Sequence, residues 1–246
     1  MKETFPHRAP QLAVLDLVVK TGQPAAEILD TAVDQQADLI VMSSHGTTGF
    51  RRWVFGATTA RLLRQTSLPV LVTPATDPGP DHLEDLKRTI RTILVPVDLS
   101  SATNTQVQIA TGLAEAFDSK VLLAHVLEPI ERRFADDSLV AQIDTRRRQA
   151  RQETLAQLKA KVPTRLKPEV ILAYGNPSHE IARIAQQRQA GAIVMGMHAP
   201  AGLVGPRIGS VTYRVLCEVS AMILALPPTL EGKLSVAPER QVVTTG

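Results

Sequence analysis

The chain has 246 residues, 44% hydrophobic and 21% charged, the balance of a water-soluble globular protein long enough for one large domain or two small ones. A net charge of +3 with only 3% aromatic residues argues against a nucleic-acid reader, which needs clustered basic side chains and stacking rings. A single cysteine, Cys217, excludes a disulfide framework or a cysteine zinc site within one chain.

The first residues, MKETFPHRAPQ, lack the apolar core of a secretory signal. No apolar run approaches the roughly 18 residues that span a bilayer. The expectation is a soluble cytoplasmic protein without nucleic-acid or membrane partners.

In chain order, residues 13–20 read as an apolar strand, 25–36 as a helix and 38–43 as a second strand. Residues 56–66 then read as a helix and 69–73 as a third strand. Residues 75–90, with Asp77-Pro78-Gly79-Pro80, read as a linker.

A longer unit follows over 91–228. Thr92–Val97 is a short apolar run of buried-strand type, and Ser100 or Ser101 can cap the next helix. That helix spaces Val107, Ala110, Leu113, Ala114 and Phe117 by three or four residues. Val121–Val126 is a second strand, and a polar helix over 138–161 turns Leu139, Ile143, Leu155 and Leu158 inward. Val170–Ala173 is the third strand. Pro177 opens a helix where proline is tolerated, and Ala192–Met195 is the fourth strand. A helix after Gly209 leads to the fifth strand, Ala221–Leu226. Residues 229–246 lack periodicity and read as a loose tail. Arg146-Arg147-Arg148, the densest basic run, reads as a solvated helix face.

Two segments repeat. GQPAAEILDTAVDQQADLIVMSSHG starts at Gly22 and GNPSHEIARIAQQRQAGAIVMGMHA at Gly175, an offset of 153 (175 minus 22). The register holds without a gap from Gly22 to Pro74, matching Pro24 to Pro177, Glu27 to Glu180, His45 to His198 and Gly56 to Gly209. The chain thus carries two copies of one unit, complete over 91–228 and partial over 1–74. The partial copy has no counterpart of residues 93 to about 150.

Apolar strands alternating with helices imply a parallel sheet covered on both faces, a doubly wound α/β layer. Ligands of such sheets bind beyond the C-terminal strand ends. There the complete copy places Pro96-Val97-Asp98 and, after its fourth strand, Gly196-Met197-His198-Ala199 with a loop to Gly209-Ser210-Val211-Thr212. A helix N-terminus preceded by glycine suits phosphate, and Asp98 is placed to hold a ribose hydroxyl or simply to cap the next helix.

With these motifs the chain resembles the universal stress protein family. That family shows a strand ending in a Val-Pro-x-Asp-like motif and a phosphate loop of the form G-x2-G-x9-G-[ST], which Gly196, Ala199, Gly209 and Ser210 match in spacing. The resemblance implies a five-stranded sheet of order 3-2-1-4-5 and an adenine-nucleotide site for ATP, with magnesium. By that resemblance Asp98 binds ribose, and Val97, Val126 and Met195 flank adenine. Gly196, Gly209, Ser210, Val211 and Thr212 cradle phosphates.

The chain departs from the pattern at Ala199, where the loop's second glycine belongs, followed by Pro200. If that place requires φ > 0, alanine strains it and its added methyl crowds a phosphate. The first copy reads Ser43 for the first glycine and Ala57 for the hydroxyl, and has no counterpart of Asp98. Independent nucleotide binding is not expected in it. His45 and His198, at equivalent loop places, read as backbone-bonded loop histidines. No G-x-S-x-G elbow and no G-x-x-x-x-G-K-[ST] loop occurs, so the expectation is a regulator without fast catalysis, the alternative being a protein-interaction module that no longer uses nucleotide.

The resemblance also implies pairing through the last strands. Residues 69–73 and 221–226 are expected to lie antiparallel and join the copies as an intrachain pseudo-dimer. In the order 3-2-1-4-5 the strands missing from the first copy leave a gap beside Ile40 and Val41. Either residues 13–20 move beside 38–43 or another chain contributes, and the apolar surface favours a homo-oligomer.

Overall fold

The computed structural model describes residues 16–43, 56–74, 83–130, 137–197 and 210–230. Its elements run α1 (Pro24–Asp34), β1 (Ile40–Ser43), α2 (Ala57–Gln65), β2 (Val70–Thr73), α3 (Leu83–Thr89), β3 (Thr92–Pro96) and α4 (Thr103–Phe117). They continue with β4 (Lys120–Leu127), α5 (Asp137–Ala160), β5 (Glu169–Tyr174), α6 (Pro177–Gln187), β6 (Ala192–Gly196), α7 (Ser210–Glu218) and β7 (Met222–Leu226).

All seven strands form one sheet in the order β1-β2-β7-β6-β3-β4-β5. Every neighbour is parallel except β2 and β7, which run antiparallel. The complete copy keeps the expected order, since β5-β4-β3-β6-β7 is 3-2-1-4-5 in its own chain order. The partial copy does not stand apart. Its two strands extend the same sheet through the expected antiparallel joint, giving a mixed sheet.

The repeat recurs in backbone detail. The two proline-headed helices α1 and α6 have 11 residues each, and α2 and α7 have 9 each. After the first pair, Gln36 (φ 51°) and Gln189 (φ 50°) both take the left-handed conformation that ends a helix. Before it, Gly22 (φ 158°) and Gly175 (φ 145°) make the same turn. A Cβ on Gly175 would lie 3.3 Å from Glu180 Cγ.

Apolar residues fill both faces of the sheet. One cluster packs Leu62, Leu63, Ile184 and Val215 of α2, α6 and α7 on Val70, Ile193 and Ile223. The other packs Val107, Ala110, Leu155 and Leu158 of α4 and α5 on Ile93, Val95, Val121 and Leu123. Burial of this kind contributes about 25 cal/mol per Å² of apolar area.

Four expectations are corrected. Residues 16–20, the described part of the strand expected over 13–20, form no strand, and Leu17 and Val19 are 82% and 87% exposed. Their counterparts in β5 pair with β4, and the first copy contains no equivalent of β4 to pair with. Nor do residues 16–20 move beside β1. The segment expected as a linker carries α3, held by Glu84–Lys87 and Asp85–Arg88 ion pairs and by Leu86, which packs on the second cluster. In α5, Leu155 and Leu158 are buried as expected, but Leu139 and Ile143 are exposed. At 24 residues the helix is about 36 Å long, longer than the strands beneath it. Finally, neither Ser100 nor Ser101 stands at the cap position of α4. Its cap residue is Ala102, without a side-chain bond. Of the tail, Pro228–Leu230 forms a short 3-10 turn, and the rest lies outside the described residues.

Candidate functional site

Between β3 and β6 the chain reverses its winding direction, and there the sheet opens. The two strands pair only at Ile93–Ala192 and Leu94–Ile193. Beyond these residues a crevice of about 450 Å³ opens at their C-terminal ends. Each expected site residue within the described regions lines it: Pro96, Val97 and Asp98 after β3, Val126 on β4, Met195 and Gly196 on β6, and Ser210, Val211 and Thr212 on α7. Ala199 and Gly209 lie outside the described residues, as do His45 and His198. In the first copy Ser43 ends β1 and Gly56 precedes α2; no equivalent of Asp98 exists there.

Asp98 is exposed, and its Oδ1 accepts from the Ser100 backbone N–H (2.9 Å) and Thr103 Oγ1 (3.3 Å). It therefore braces the turn into α4, where Leu99 takes φ 63°. Bracing and ligand contact are compatible, because a carboxylate has about four acceptor sites. Val97 is buried and extends the ladder, its N–H bonding Ala124 O at 2.8 Å. Met195 is buried as well. Thr212 Oγ1 donates to Gly196 O at 2.9 Å, fastening the first turn of α7 to the end of β6. That first turn carries backbone N–H groups without helical partners and the positive end of the helix dipole.

Further lining residues are Gln106 and His125 together with Ala124, Glu128, Pro177 and Ile181. Sequence reading missed these. A signal for two of them was present: Gln106 lies one turn before Ala110 on the inward stripe of α4, and His125 interrupts the apolar run of β4. Gln106 Nε2 donates to Pro96 O (2.7 Å) and Val194 O (2.8 Å). His125 Nδ1 lies 2.7 Å from Val97 O, and because a carbonyl only accepts, Nδ1 carries the hydrogen. Burial pushes the imidazole pKa below its ordinary value, aided by Arg151 and Arg147 and opposed by the Val97 bond and Asp98.

Two arginines of the basic run share one carboxylate. Arg147 and Arg148 pair with Asp144 at 3.5 and 3.4 Å, and Arg148 stacks 4.9 Å over the Tyr174 ring. Cys217 is partly buried against the core. Among the described residues no group of three His, Cys, Asp or Glu side chains is placed to hold a metal ion, and no helix is long and apolar enough to cross a membrane.

A doubly wound sheet with its crevice at the switch point defines the class of open α/β proteins whose ligands bind beyond the carboxyl ends of the strands. The comparisons are more specific. The sequence model of the universal stress protein family matches residues 6–74 and 89–227. The chain belongs to that family. Universal stress protein MJ0577 of Methanocaldococcus jannaschii is 37% identical over 59 residues, 24% of this chain and 36% of that protein. A second from the same organism, MJ0531, is 43% identical over 51 residues, 21% of this chain and 30% of its own length. The matched stretches thus span about a third of these relatives. Among solved structures, a putative universal stress protein of Pseudomonas aeruginosa superposes with a TM-score of 0.67 at 21% identity, covering 88% of this chain and 74% of its own. A universal stress protein of Archaeoglobus fulgidus gives 0.57 at 17% identity, covering 83% and 66%. These two share the fold.

Proposed function

We propose that this protein is an adenine-nucleotide-binding stress regulator of the cytoplasm, with ATP and its magnesium as ligand and without fast catalysis. One observation carries the reading. An acidic residue, apolar walls and a helix N-terminus converge on a single crevice at the switch point, and its volume suits a nucleotide-sized ligand. In this reading Val97, Val126 and Met195 flank the base, and Asp98 takes a ribose hydroxyl. Gly196 and the first turn of α7 receive the phosphates, with Ala199 and Gly209 between them in the sequence. Magnesium travels with the phosphates. Titration of the purified chain with ATP and magnesium tests it. Saturable binding is expected, and an intact fold that binds nothing at millimolar ATP would end the reading.

A second reading, a homo-oligomer working through protein contacts, is favoured by β1. Val41 is 59% exposed, whereas its counterpart Val194 is fully buried beneath α4, which packs on β6. The first copy has no helix equivalent to α4, and β1 is an edge strand without a charged or proline guard. Light scattering at micromolar concentration is expected to give more than one chain per particle; a stable monomer would refute this. The substitution Ala199→Gly separates a degraded site from a working one: a large gain in ATP affinity would mark the natural loop as unfit.

A further inference from the structure

Where β3 and β6 part, strand-end carbonyls lose backbone donors, and two side chains take over. Gln106 spends both hydrogens of its amide nitrogen, one on Pro96 O of β3 and one on Val194 O of β6. His125 spends Nδ1–H on Val97 O. The donors are fixed by this, because their three partners are carbonyls. The remaining polar atoms of the two side chains, Gln106 Oε1 and the Nε2 of neutral His125, are therefore acceptors.

Neither acceptor has a hydrogen-bond partner among the described residues. Yet the side chains are only 4% and 8% exposed. Among the described residues no side-chain polar atom is sealed from solvent without a partner. Both residues line the crevice. A glutamine on the buried stripe of α4 is costly to bury, and tying two strands together accounts for only one end of its amide.

We infer that Gln106 Oε1 and His125 Nε2 are specificity-determining acceptors of the crevice, which receive hydrogen bonds from the exocyclic amino group of a purine base. The inference rests on the nucleotide reading above and concerns the choice among nucleotides. A 6-aminopurine brings N–H donors to the two acceptors. A 6-oxopurine brings a carbonyl oxygen, which sets acceptor against acceptor, and an unsubstituted purine leaves both without a partner. Buried acceptors left unpaired by the wrong ligand penalise its binding.

Calorimetric titration of the full chain with ATP, ITP and the triphosphate of unsubstituted purine riboside tests this. ATP is expected to bind about tenfold tighter or more than either of the others. Equal affinity for all three overturns the inference and leaves nucleotide binding standing. Binding of none of them overturns both. The variant Gln106→Leu is expected to shrink the preference for ATP over ITP, with a weaker effect on ITP itself; a uniform loss for both ligands would assign Gln106 a structural role only. Should that variant fail to fold, histidine nitrogen NMR of the unaltered chain decides. ATP is expected to move the Nε2 resonance of His125, assigned with His125→Gln, while Nδ1 stays protonated, and an Nε2 signal indifferent to ATP overturns the inference.

Discussion

Leu71 of β2 pairs with Leu224 of β7, its own counterpart in the internal repeat. Val70 then faces Ala225 and Val72 faces Ile223, so the repeat's pseudo-two-fold axis passes through the Leu71–Leu224 pair. The antiparallel joint is an isologous interface written within one chain. It lets a fragment with two strands of its own share the core of a complete unit.

The first prediction concerns that joint. Because β2 has a neighbour on each side, proline at Leu71 removes a ladder bond within the sheet. Leu71→Pro is expected to cost about 2 kcal/mol or more, read as a lower denaturation midpoint. An unchanged midpoint would mean that the joint adds nothing to stability.

Asp98 has two separable roles. Asp98→Ala removes the bonds from Ser100 and Thr103 and is expected to lower stability by about 1 kcal/mol, as loss of a capping side chain does. It should also weaken ATP binding. Asp98→Asn keeps an acceptor for the turn, so stability is expected to hold while ribose contact weakens. Calorimetry on both variants would contradict the ribose assignment if ATP affinity followed stability alone.

Thr212 is buried, and its hydroxyl fastens α7 to Gly196 O at 2.9 Å. Thr212→Val keeps the shape and loses that bond, at a cost of about 1–3 kcal/mol for the unsatisfied carbonyl. If this bond aims the first turn of α7 at the phosphates, ATP should lose more affinity than adenosine. Equal losses in a binding assay would place the effect elsewhere.

His125 makes stability depend on pH. Burial holds its pKa in the folded chain below the ordinary histidine value of about 6.5. Between those two values the unfolded chain binds the proton and the folded chain does not. The contribution is therefore complete above about pH 6.5 and is lost as pH falls toward the folded value. Denaturant titrations from about pH 5 to 8 should show this decline, and His125→Gln should flatten it.

Much of the fold was legible in the sequence. Alternation of apolar runs with 3.6-period stripes fixes helix and strand types, and the ungapped repeat from Gly22 to Pro74 fixes which elements correspond. The motif around Pro96-Val97-Asp98 and the stretch Ser210-Val211-Thr212 mark two walls of the crevice, since both stand at strand or helix ends, where backbone groups are free by construction. Local pattern cannot tell which partners a segment finds. Leu17, Val18 and Val19 are as apolar as their counterparts Val170, Ile171 and Leu172, but a strand exists only where a neighbour accepts its ladder. The missing neighbour leaves them in water. Val41 and Val194 are the same residue in the same strand position, one bare and one buried, because α4 covers only one of them. Gln106 and His125 likewise became site residues only when the tertiary structure parted β3 from β6 and left three carbonyls for their nitrogens to bind.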